Sequence, residues 1–109
     1  MAGTLTRPPA VAGAFYPADP VDLRAEVGRM LGSQESGSAP RAVVVPHAGY
    51  AYSGSLAAAG FAPLRGADVQ RVILLGPSHH ESFAGGALPS PEIGAFATPL
   101  GPVRLDLEA

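Results

Sequence analysis

Two continuous apolar runs set the terms for any fold of this chain: Arg41-Ala42-Val43-Val44-Val45 and Arg71-Val72-Ile73-Leu74-Leu75. Each is short and rich in β-branched residues. Each is stopped abruptly, by Pro46 in the first case and by Gly76-Pro77 in the second. Proline removes a backbone donor and fixes φ, so a strand ends at such a position. Because the runs do not alternate with polar residues, they read as strands covered on both faces, the pattern of α/β sheets. Between them, Ser53-Gly54-Ser55 opens an alanine-rich stretch through Leu56-Ala57-Ala58-Ala59 that ends near Gly60, a helical segment. Strand, helix and strand at this spacing predict a βαβ unit, whose right-handed crossover puts both strands in one parallel sheet.

Other elements are less constrained. Residues 1–18, with Pro8-Pro9 and Ala14-Phe15-Tyr16-Pro17, read as an extended arm. Asp19-Pro20 is a helix start, since Asp caps free N–H groups and Pro suits the first helical turn. Leu23, Val27, Met30 and Leu31 then share one helical face, and Gly32 is a natural stop. Residues 33–40 read as a polar loop, and Val103 to Leu107 as a last strand.

Composition narrows the function. The chain has 109 residues and a net charge of −2, and its seven basic residues, all arginine, are scattered. That argues against nucleic acid and anionic membranes as partners. No apolar run approaches the ~20 residues needed to span a bilayer, and Met1 to Arg7 lack a signal core, so a soluble, cytoplasmic protein is expected. Cysteine is absent, which leaves histidine, carboxylate or backbone oxygen as metal donors in this stretch. Charged residues are only 15% of the chain, beside 14 glycines and 12 prolines. Typical domains carry about 25% charge, so part of this surface is expected to be covered, by a partner, a second copy or further chain.

All three histidines fall in two loops, Pro46-His47-Ala48-Gly49-Tyr50 and Gly76-Pro77-Ser78-His79-His80. In parallel α/β sheets ligands bind beyond the carboxyl ends of strands, so both loops are expected at one sheet edge. Adjacent strands lie about 5 Å apart, close enough for two imidazoles to converge on one ion. Neutral imidazole suits zinc, copper, iron and nickel. Tyr50, Tyr52 and Ser78 add hydroxyls, and the Gly76-Pro77-Ser78 turn offers backbone N–H groups to an anion. The role of His80 stays open, because neighbouring rings do not readily share one ion.

These motifs, in this order, resemble the Memo-like family, which includes the AmmeMemoRadiSam system protein B group. The resemblance runs from Arg7-Pro8-Pro9 through Ala14-Phe15-Tyr16-Pro17 and Val45-Pro46-His47-Ala48-Gly49-Tyr50. It continues through Tyr52-Ser53-Gly54, Ile73-Leu74-Leu75-Gly76-Pro77-Ser78-His79-His80 and Thr98-Pro99-Leu100-Gly101. It implies an α/β fold with a parallel or mixed sheet flanked by helices, like class III extradiol dioxygenases. It also implies metal-site roles for His47 and His79, with Phe15 and Tyr52 lining the same pocket. Iron or copper is the implied ion, and a redox or dioxygenase-like activity the implied chemistry. Two other functions are implied by the same resemblance: a peptide- or phosphopeptide-binding adaptor without chemistry, and an accessory role beside a radical SAM protein. A small-molecule or peptide ligand and a homo-oligomer are the further partner expectations. The family's third site residue, a cysteine, and a further histidine lie beyond the matching stretch. Residues 1–109 therefore resemble the N-terminal part of a single Memo-like domain, and a fragment is expected.

Overall fold

A computed structural model describes residues 3–33 and 38–109. The polar-loop expectation at 34–37 lies outside the described residues. The helix expected after Asp19 is α1, Pro20–Leu31. Asp19 Oδ1 accepts the backbone N–H groups of Val21 at 2.9 Å and Asp22 at 3.0 Å, so the side chain occupies two donors the helix cannot satisfy itself. Gly32 closes the other end, its N–H donating to the Gly28 carbonyl at 3.1 Å and its φ of +68° favouring glycine. The Arg65 guanidinium also donates to the Gly32 carbonyl, tying this end of α1 to a later segment.

The second helical region is longer than the alanine run predicts. A π-helical turn, Tyr50–Gly54, leads directly into α2, Ser55–Phe61, and a 3₁₀ turn, Ala62–Leu64, follows. Helices α1 and α2 pack together, and this contact is the core: Leu23 on α1 is 4% exposed and Ala58 on α2 is 6% exposed. Close approach is possible because Gly54 faces the Met30 sulfur, where a Cβ would come within 2.8 Å of Sδ. Gly60 plays the same part for Val45, whose Cγ1 occupies the space a Cβ there would need.

Strands form elsewhere than the apolar runs suggest. The sheet has order β1-β2-β3, with β1 Leu5–Arg7, β2 Ile93–Thr98 and β3 Gly101–Arg104. It is mixed: β1 runs parallel to β2, and β2 runs antiparallel to β3. The β2–β3 hairpin turns at Thr98-Pro99-Leu100-Gly101. Thr98 Oγ1 accepts the Leu100 N–H at 3.1 Å and donates to the Gly101 carbonyl at 2.7 Å, while Gly101 takes a φ of +119°. The last strand therefore starts at Gly101, immediately after this turn, and ends at Arg104 rather than spanning Val103 to Leu107.

Residues 41–45 and 71–75 belong to no strand or helix, so the expected βαβ unit is not formed. The physical reason is pairing. A continuous apolar strand is stable when neighbours take its hydrogen bonds and layers cover both faces. Here β2 pairs with β1 and β3, and no strand among the described residues lies beside either run. Val44 is 99% exposed and Leu75 is 89% exposed. The α/β class stands as a mixed three-stranded sheet with two helices.

Candidate metal site

The loop that carries His47 is fixed by the elements around it. On its N-terminal side, Val45 sits against Gly60 of α2. On its C-terminal side, the Tyr50 N–H donates to the Phe15 carbonyl at 2.8 Å, which docks the N-terminal arm on the loop. Gly49 lies against the arm at this contact, its Cβ position 3.5 Å from both Cα and the carbonyl oxygen of Phe15, an ordinary van der Waals distance. The Ser53 hydroxyl donates back to the Ala48 carbonyl at 3.3 Å. The π-helical turn that follows brings this hydroxyl under the loop; such turns put an extra residue into the helical ladder.

His79 reaches the same place from a different segment. Its loop is shaped internally: the Ser78 hydroxyl donates to the Glu81 carbonyl at 2.6 Å and accepts the Glu81 N–H at 3.4 Å. At the root of the segment, Arg71 and Asp106 form an ion pair at 2.7 Å, joining it to the residues after β3. The result is that Nε2 of His47 and Nε2 of His79 lie 3.2 Å apart, across 32 residues of chain. Their ring centroids are 5.2 Å apart and the rings are tilted by 48°. Two imidazoles so placed have two options. One ring donates an Nε2 proton to the other, or both turn Nε2 lone pairs toward one cation. A tetrahedral ion with bonds of about 2.0–2.1 Å sets two such nitrogens roughly 3.3 Å apart, so the observed separation fits the second option as well.

The other expected site residues fall around this pair. Phe15 is at the arm–loop contact, and a ring carbon of Tyr52 lies 3.7 Å from the Cβ position of Gly49, so both aromatic residues border the His47 loop. Tyr52 is 88% exposed and forms an open rim rather than a closed wall. His80 stands edge-on to His79, with centroids 6.5 Å apart, and takes no part in the short nitrogen contact. Among the described residues, no group of three or more His, Cys, Asp or Glu is gathered to hold an ion.

Two contributors escape sequence reasoning, Ser53 and Arg71, while Tyr50 is expected there only as a hydroxyl donor. Ser53 reads as the start of a helix, and its bond to Ala48 follows from the π-helical turn, which no propensity announces. Arg71 reads as scattered surface charge, and its partner Asp106 is 35 residues away. Tyr50 packs its ring on Tyr16, centroids 5.7 Å apart. Burial, then the nearby Tyr16 and Glu26, push its hydroxyl above the ordinary value of 10.0.

The chain is similar to known proteins of one family. A family model described as Memo-like protein covers residues 7–109. A MEMO1 family protein from Methanopyrus kandleri is 37% identical over 95% of this chain and 40% of its own length. Protein MEMO1 from Homo sapiens and from Danio rerio are each 38% identical over 87% of the chain and 32% of their own length. No solved structure matches the chain. The chain thus spans about a third to two-fifths of the length of these curated relatives. With nearly all its residues inside the family model, and with relatives at this identity, the chain belongs to the Memo-like family.

Proposed function

We propose that His47 and His79 together hold a redox-active metal ion, iron or copper, and that this is the chain's part in a redox or dioxygenase-like Memo protein with an extradiol-dioxygenase type of α/β fold. One observation carries the reading: two Nε2 atoms from loops 32 residues apart meet at 3.2 Å. The donor chemistry fits, since neutral imidazoles suit both ions. When bound by two protein ligands, such an ion keeps open positions for water, oxygen or substrate. The chain's own residues supply the rest: Phe15 and Tyr52 offer an aromatic rim for an organic ligand, and the arm–loop contact at Tyr50 holds His47 in place. With water completing the coordination, affinity is weak and turnover by this chain alone is absent.

Titration with Fe(II), Cu(I) and Zn(II) under anaerobic conditions tests this. His47→Ala and His79→Ala should each lower affinity by more than about tenfold, since even residues that merely orient a ligand are worth 10–100-fold. Affinity unchanged in both variants sinks the reading.

A binding module is the second reading, favoured by the exposure of Tyr52 and Phe15 beside the pair. In that case the rim captures a peptide, phosphopeptide or small molecule without chemistry. A metal-loaded full-length relative that consumes no oxygen over a catechol panel, yet retains a peptide, decides for it. A place beside a radical SAM protein is the remaining proposal, and co-purification with such an enzyme checks it.

A further inference from the structure

Residues 68–92 contain no helix or strand, and every one of them is exposed. Their composition does not suit that exposure. A segment that stays in water is usually rich in charge, yet between Arg71 and Glu92 the one charged side chain is Glu81. Val72, Ile73, Leu74, Leu75 and Leu88, all in this stretch, stand 72–92% exposed. The mismatch shows in the total surface. A folded monomer of 11.0 kDa exposes about 5,600 Å², and this chain exposes 8744 Å². The excess is about 3,000 Å² by that scaling. An obligate homodimer buries roughly 1,000–2,500 Å² on each chain, an area that this excess can supply.

Charge decides which occupant the surface suits. Interfaces between unlike proteins use charged groups to steer encounter and to reject wrong partners. Interfaces between identical subunits are more apolar and poor in charge. Two copies of this chain meet here with Glu81 as the one like-charged group within the segment. We propose that residues 68–92 are the face on which a second copy of the chain docks, in a closed two-fold pair that covers Val72 to Leu75 on both copies. The inference stands on area and charge, and it is independent of the metal reading.

Sedimentation equilibrium of the full 109-residue chain over a dilution series tests the pairing. The expected result is a monomer–dimer equilibrium that reaches twice the single-chain mass and goes no further. Ile73→Asp and Leu74→Asp change positions that are each 81% exposed, so the Leu23–Ala58 core is spared and far-UV circular dichroism should not change. Each should raise the dimer dissociation constant more than about a hundredfold, since both copies then bury an unpaired carboxylate. Val21→Asp, on the exposed side of α1 and outside the segment, should leave the dimer intact. A single-chain mass at every concentration overturns the proposal. If that single chain instead forms a one-to-one complex with the C-terminal remainder of the Methanopyrus kandleri relative, the face belongs to further chain and the second copy is excluded. Aggregates that grow without limit exclude the closed pair. A dimer that survives both segment variants, or that Val21→Asp weakens as much, also overturns it.

Discussion

Tyr50 shows how much one residue of this chain is asked to do. Its N–H holds the arm, its ring packs on Tyr16, and its backbone begins the helical turn behind His47. Its hydroxyl is raised by burial first, and by Tyr16 and Glu26 after that. A raised pKa in the folded state means that folding favours the protonated phenol. The contribution is therefore intact below the unfolded value near 10 and is lost as pH climbs through the folded value. Urea denaturation at stepped pH should show stability falling as pH rises past the ordinary phenol value of 10.0, with part of that fall absent in Tyr50→Phe. An identical alkaline loss in the variant would assign it to other groups. His80 teaches the reverse lesson at the same scale: adjacency in sequence to His79 places its ring edge-on and outside the nitrogen pair.

At the scale of elements, what was readable was local. Helix α1 follows from a cap at Asp19, a proline and a four-residue periodicity, all within or next to its own dozen residues. Removing that cap should be felt directly. Asp19→Ala ought to lower unfolding free energy by about 1 kcal/mol, measured by denaturant titration, and a change below ~0.3 kcal/mol would mean that the two N–H groups find water at no cost. The sequence expects His47 and His79 to meet at the ends of two adjacent parallel strands; they do meet, but those strands do not form, so the sheet-edge ground for that expectation fails. The strands themselves were not readable. Runs such as Val43–Val45 and Val72–Leu75 declare a need for burial on both faces, but no residue within them names a partner. The sheet arises instead from Leu5–Arg7, three exposed residues, against Ile93–Thr98, a pairing across more than eighty residues. Strand pairing at that distance leaves no period to read, and the π-helical turn at Tyr50–Gly54 leaves none either.

Over the whole molecule, the balance between covered and uncovered apolar surface sets the behaviour. The radius of gyration is 15.1 Å, against about 13 Å for a compact chain of this length. Among the described residues no helix is long and apolar enough to cross a membrane, and many large aliphatic side chains, Val44 and Leu75 among them, are exposed. Their consequence is calorimetric. The heat-capacity step on unfolding measures the apolar area that becomes wet, and Leu23 and Ala58 are the buried apolar residues among those described. Scanning calorimetry of the dissociated chain should give a step well below the ~1.5 kcal/mol/K usual for this length, and a step at that usual size would mean the segment 72–75 is covered in solution. A small step also flattens the curve of stability against temperature. Val44 and Leu75, already in water when the dissociated chain is folded, thereby make it less sensitive to cold than a well-packed domain of equal size.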